Sequence, residues 1–147
     1  MERRGFFKSL AAFAGIAASG TVVTSAQAAP NKSKVAYHLT EAQRAKSVLG
    51  NIKNHIQGVG GPENVEIILV VHGDGLKAFE DISAHPDLKS AFTELKSAGV
   101  AYNACGNTLN SLKWQVSDLV PGFVRVDQGG VVRLAELQSQ GYVYLRP

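Results

Sequence analysis

The sequence predicts a doubly wound α/β sandwich of three layers, with helices on both faces of a five-stranded, mostly parallel sheet. Two observations carry this. Strand-like and helix-like stretches alternate from Lys34 to the end of the chain, the order that builds strand–helix–strand units rather than hairpins. Val65 to Val71 (V-E-I-I-L-V-V) is a nearly continuous aliphatic run, which is how a strand reads when it is buried on both faces in the middle of a parallel sheet. No internal repeat, low-complexity tract or long linker interrupts the pattern.

The elements follow in order. Lys34–Leu39 mixes β-branched and aromatic residues in a short run and reads as the first strand. Thr40 followed by Glu41 offers an N-cap with an acidic first turn. From there to about Gln57, the residues Ala45, Val48, Leu49, Ile52 and Ile56 recur at three- and four-residue spacings, an amphipathic helix. Gly58-Val59-Gly60-Gly61-Pro62 ends it. After the aliphatic strand come two helical segments, Leu76–Ile82 and Asp87–Ala98, separated by His85-Pro86, with Gly99 closing the second. Val100–Ala104 is a third strand, and Gly106-Asn107-Thr108 opens a helix that ends before Pro121-Gly122. Phe123–Val126, a helix over Gly130–Gln140 and a last strand over Tyr142–Leu145 complete the domain.

Residues 1–28 stand apart from the fold. Arg3-Arg4-Gly5-Phe6-Phe7-Lys8 is a charged opening, Ser9–Val23 is uncharged and alanine-rich, and Ala26-Gln27-Ala28 is a small-x-small cleavage site. The pattern is similar to the twin-arginine export signal, whose pathway moves folded proteins. The apolar run is shorter than the roughly 20 residues a membrane-spanning helix needs, so no stable membrane span is expected. Cleavage after Ala28 would leave 119 residues in the periplasm, one domain by length.

Removing the signal lowers the net charge from +3 to +1. The remaining cations are scattered singly among carboxylates, which argues against nucleic acid as a partner. One cysteine, Cys105, serves a chain bound for an oxidising compartment, so it forms no internal disulfide.

In an open parallel sheet, ligands bind outside the carboxyl ends of the strands near the point where strand order reverses. His38 ends the first strand, His72 follows the second and Cys105 follows the third. Parallel strands bring all three to one rim. Cys105 precedes the start of a helix, where unpaired N–H groups and the helix dipole favour a thiolate. Such a thiolate attacks sulfur or carries it as a persulfide. Gly106 allows a tight turn and close approach of a partner, with Asn107 beside it, and Gly73 opens a turn after His72 that can enclose a small ligand. A lone cysteine between Ala104 and Gly106 is also the pattern of a small buried hydrophobe. His55, near a helix C-terminus, and His85, before Pro86, read as structural and as an exposed loop residue. Asp74, Asp118 and Asp127 are candidate acids that serve equally as turn or cap residues. Trp114 and Tyr102 read as core or interface aromatics. Phosphate-loop, Cys-x-x-Cys, His-Glu-x-x-His and Gly-x-Ser-x-Gly motifs are absent.

Val71-His72-Gly73-Asp74-Gly75-Leu76, Ala104-Cys105-Gly106-Asn107-Thr108-Leu109 and Leu137-Gln138-Ser139-Gln140-Gly141-Tyr142 together resemble the DsrE/DsrF-like family. The likeness covers about Lys34 to Pro147, the domain expected at 34–147. It implies a flavodoxin-like fold, assembly as a homo-oligomer (trimer or hexamer), and a relay role related to that of TusD. In that role Cys105 accepts sulfane sulfur from a donor protein or small sulfur species and passes it to an acceptor, with His38, His72, Gly73, Gly106 and Asn107 as binding residues and no cofactor or resident metal. The alternative is a periplasmic metal- or small-ligand-binding oligomeric module without catalysis, in which His38, His72 and Cys105 hold copper or zinc.

Overall fold

The computed structural model describes residues 32–147; the export signal expected at 1–28 lies outside the described residues. Five strands, β1 (Ser33–Leu39), β2 (Val65–Val71), β3 (Ala101–Cys105), β4 (Phe123–Val126) and β5 (Val143–Leu145), form one sheet in the order β4-β3-β2-β1-β5. Every pairing is parallel, so the mostly parallel sheet of the sequence reading is wholly so. Four α-helices alternate with the strands: α1 (Ala45–Gly58), α2 (Pro86–Ser97), α3 (Gly106–Leu112) and α4 (Gly130–Ser139). None is long and apolar enough to cross a membrane.

Strand residues two apart share a face, and the two faces carry separate cores. Val35, Tyr37, Leu39, Ile67, Leu69 and Val71 pack with the apolar stripes of α1 and α2, where Ile52 and Phe92 are wholly buried. Their neighbours Ala36, Ile68 and Val70 pack on the opposite face with Leu134 and Leu137 of α4 and with Tyr142. This explains the continuous aliphatic run of β2: both of its faces are covered. The layers are unequal, since among the described residues α4 is the one helix on its side. Its two buried leucines contribute roughly 1.5–3 kcal/mol each, so the α4 wall is less firmly anchored than the other layer. On the larger side Phe123 of the edge strand β4 joins an aromatic cluster with Phe79, Phe92 and Tyr102. Tyr102 stacks on Phe92 at 3.8 Å between ring centroids and donates its hydroxyl to the Phe92 carbonyl at 3.2 Å.

Several boundaries differ from the periodicity reading. The Thr40-Glu41 cap does not form; a 3₁₀ turn at Ala42–Arg44 precedes α1, and the Thr40 hydroxyl accepts from Arg146 instead. The segment expected as a helix at Leu76–Ile82 is a 3₁₀ stretch over Gly73–Phe79. His85 caps α2, its ring accepting the Asp87 N–H at 3.2 Å with Pro86 in the first turn. α3 stops at Leu112 because Lys113 adopts a left-handed conformation, φ 58°, and only a 3₁₀ turn, Val116–Asp118, follows before β4.

The placement of the helices defines a crevice. After β3 the chain turns into α3 on the larger-core side, and after the adjacent β4 it turns into α4 on the other. Loops leaving neighbouring strands in opposite directions leave a gap at the carboxyl ends between them. Cys105 and the Gly129-Gly130 turn meet there.

Candidate functional site

Cys105 is the last residue of β3 and the N-cap residue of α3. Two glycines make its surroundings possible. A Cβ on Gly106 would lie 2.9 Å from the Val126 carbonyl oxygen and 3.1 Å from the Asp127 Cα, so glycine lets this turn press against the end of β4. A Cβ on Gly130 would lie 3.2 Å from the His72 Cβ and 3.4 Å from the Cys105 Cβ. With no side chain there, the first turn of α4 wedges between the two, and the Gly130 N–H donates to the Cys105 Sγ at 3.2 Å.

Cys105 is 5 % exposed. Burial by itself pushes its pKa up, because it disfavours the thiolate. That effect is outweighed by the Thr108 hydroxyl and by the N–H groups of Thr108, Gly130 and Asn107, and the thiol lies below its ordinary range. The Asn107 and Thr108 N–H groups act as dipoles aimed at the sulfur without closing a capping hydrogen bond. A cleft of about 240 Å³ opens beside the thiol, with His72, Asn107, Thr108 and Gln128 among its walls and Val131 and Val132 of α4 at its edge. Its size suits a small sulfur species. A larger hollow of about 490 Å³ lies near the starts of α1 and α2, but it has an alanine-rich floor and includes none of these groups.

The histidines form a second group on the same rim. The His38 Nε2 and His72 Nε2 atoms are 2.7 Å apart, and the rings lie nearly parallel with centroids 4.7 Å apart. The His38 Nδ1 meets the Tyr144 hydroxyl at 2.7 Å. Arg146 closes this end of the rim, bonded to the Glu41 carboxylate at 2.6 Å and the Thr40 hydroxyl at 2.9 Å. Burial, then the neighbouring ring and the Arg146 guanidinium, push His38 down to about 4. Burial and Arg146 also lower His72. Both rings are neutral near pH 7.

The rim therefore gathers the proposed residues in two linked sets. His38 and His72 bond each other, while His72 and Cys105 both abut Gly130. Gly73 donates its N–H to the Thr108 Oγ1 at 2.9 Å, and Asn107 lies over Gly129. Gly106 serves the packing of the turn onto β4. The structure adds Thr108, Gly130, Tyr144 and Arg146, which the sequence did not single out. Tyr144 and Arg146 were hidden because their place depends on β5 returning to pair with β1, with Ala36 opposite Tyr144.

The remaining candidates have structural partners. His55 bonds the Tyr37 hydroxyl at 2.8 Å, Asp74 pairs with Lys77, Asp118 forms a capping box with Gln115, and Asp127 pairs with Arg125. Tyr102 is core and Trp114 packs against it. Among the described residues, no three His, Cys, Asp or Glu side chains converge as a metal site. The 2.7 Å between the imidazole nitrogens is a hydrogen bond; two nitrogens on one tetrahedral ion, each ~2.0–2.1 Å from it, stand roughly 3.3 Å apart. The donor set as folded does not fit the copper or zinc alternative.

Residues 19–147 match the profile of the DsrE/DsrF-like family. Among solved structures, a protein of unknown function, MTH1491 from Methanobacterium thermoautotrophicum, is 25 % identical with a TM-score of 0.70, over 79 % of this chain and 100 % of that one. The ychN protein from E. coli has the same fold at 15 % identity and a TM-score of 0.60, over 80 % of this chain and 100 % of its own. No curated protein matches significantly.

Proposed function

The chain belongs to the DsrE/DsrF-like family, and from that premise we propose that it binds and relays sulfane sulfur on Cys105. The observation that carries the reading is the sulfur's position in the crevice between β3 and β4, where the α4 N-terminus donates to it at 3.2 Å and an open cleft adjoins it.

The chemistry follows from the surroundings. The Cys105 thiolate attacks the outer sulfur of a persulfide or of thiosulfate. A new S–S bond forms to Cys105 while the donor's S–S bond breaks, and the donor leaves as thiolate or sulfite with the electron pair. The added sulfur carries the negative charge into the cleft, within the field of the N–H groups that favoured the thiolate. An acceptor thiolate then attacks that outer sulfur, and Cys105 leaves as thiolate. His72 lines the cleft as a neutral ring, able to hydrogen-bond the bound sulfur without itself carrying charge.

The opening Arg3-Arg4-Gly5-Phe6-Phe7-Lys8 and the Ala26-Gln27-Ala28 site support export to the periplasm with cleavage after Ala28. Val124, Val131 and Val132 are exposed, two of them at the cleft edge, and supply apolar surface for the homo-oligomer that the family likeness implies.

Intact mass spectrometry of protein recovered from the periplasm tests both points. The chain should begin at Ala29. Incubation with thiosulfate or polysulfide should add about 32 Da per sulfur atom, removed by reductant. A gain of the same size in Cys105→Ser, or none in the native protein, would sink the relay reading.

A further inference from the structure

Thr108 joins two loops at the sulfur. Its Oγ1 accepts the Gly73 N–H at 2.9 Å, and Gly73 holds the left-handed conformation, φ 58°, at the start of that turn. A hydroxyl has one proton and two lone-pair positions. With a lone pair engaged by the turn after β2, the proton is directed elsewhere. Cys105 is the N-cap residue and Thr108 the third residue of α3, positions that face each other across a helix start. Both line the same cleft, and the Gly130 N–H reaches the sulfur from α4.

We propose that the Thr108 hydroxyl, its rotor fixed by the Gly73 N–H, is the side-chain donor that holds Cys105 as a thiolate and couples the turn after β2 to the reacting sulfur. This rests on the reading of Cys105 as the reacting group. The Gly130 donor at the sulfur is a backbone N–H, whereas the Thr108 hydroxyl is a donor that a side-chain substitution removes without altering the backbone. The only other titratable side chain lining the cleft is His72, from the end of β2; the residues that α4 and the β4 loop contribute there carry no charge.

The test uses the full chain, whose sole cysteine makes alkylation unambiguous. The rate of iodoacetamide reaction is followed against pH for the native protein, Thr108→Val, Thr108→Ala and Thr108→Ser, and again with each in a His72→Gln background. Losing a hydrogen bond to a charged group should shift the acid limb upward in Thr108→Val and Thr108→Ala alike, slowing alkylation on that limb about tenfold. The alkaline plateau should be unchanged, Thr108→Ser should stay close to native, and the shift should persist without His72. Superimposed profiles, or a Thr108→Ser profile displaced as far as Thr108→Val, would overturn the proposal. If Thr108→Val fails to fold, Thr108→Ala decides alone. Sulfur loading of the native protein is scored separately by mass. An unloaded native thiol with a displaced Thr108→Val profile would remove the relay reading and leave the role of Thr108 standing.

Discussion

The Nε2 atoms of His38 and His72 lie 2.7 Å apart, so the two rings share a single proton between them. A second proton would set two N–H donors against each other. His38 is lowered to about 4 and His72 is lowered from 6.5, so between those values the unfolded chain binds more protons than the native one. Stability is therefore full above about pH 6.5 and is lost as the pH falls towards 4. Discounted for solvent screening at the rim, the loss is on the order of 1–2 kcal/mol. Urea unfolding between pH 7.5 and 4.5 should show it, and the double variant His38→Gln/His72→Gln should flatten it. Equal slopes in native and variant proteins would refute the shared-proton reading.

Arg146 acts on both rings through its charge, after burial in His72 and after burial and the neighbouring ring in His38. Its Glu41 partner works in the opposite direction on each. Arg146→Gln should raise the titration midpoints of both histidines, most clearly in the NMR signals of the ring protons. Because the native values then approach those of the unfolded chain, the acid loss of stability should shrink. Midpoints that stay put would show that Arg146 is screened from the pair.

Two glycines at the site are expected to resist substitution to different degrees. At Gly106 an added Cβ meets backbone, the Val126 carbonyl at 2.9 Å and the Asp127 Cα at 3.1 Å, which can yield only by moving the end of β4. At Gly130 it meets the Cβ atoms of His72 and Cys105 at 3.2 and 3.4 Å, longer contacts that need give way by only a few tenths of an ångström. Overpacking costs about 1–3 kcal/mol, against less than about 1 kcal/mol gained from alanine's helix propensity. Gly106→Ala should fall at the upper end of that range and Gly130→Ala near 1 kcal/mol net. Thermal unfolding orders them; Gly130→Ala as the more damaging would contradict the packing argument.

The strands were legible in the sequence, but their order across the sheet was not. Alternation placed all five strands to within a residue or two of the strands the structure describes, because a hydrophobic run buried on both faces leaves a signal in composition alone. The helix starts were less legible. Thr40-Glu41 has the right chemistry for a cap, yet Arg146, 106 residues away, takes the threonine hydroxyl. The rim carrying His38, His72 and Cys105 followed from parallel strands. Thr108, Gly130, Tyr144 and Arg146 did not, because each acts through a partner on a different strand–helix unit. Periodicity records which face a residue occupies and is silent about which distant loop returns to it.

Cys105 combines an acidified thiol with 5 % exposure, and these pull reactivity in opposite directions. Ionisation favours attack, while burial restricts what can be attacked. Among the described residues, the opening beside the sulfur is the cleft of about 240 Å³, a volume that takes a short sulfur chain more readily than an aromatic disulfide. Iodoacetamide and polysulfide should therefore react readily near neutral pH, and an aromatic disulfide reagent at least about tenfold more slowly than with a free thiol of matched ionisation. Widening the cleft with Val132→Ala should recover part of the difference and leave the small reagent's rate unchanged. Equal rates for both reagents in the native protein would mean that the thiol is reached by a route other than the cleft, and the size argument for small sulfur species would fall with it.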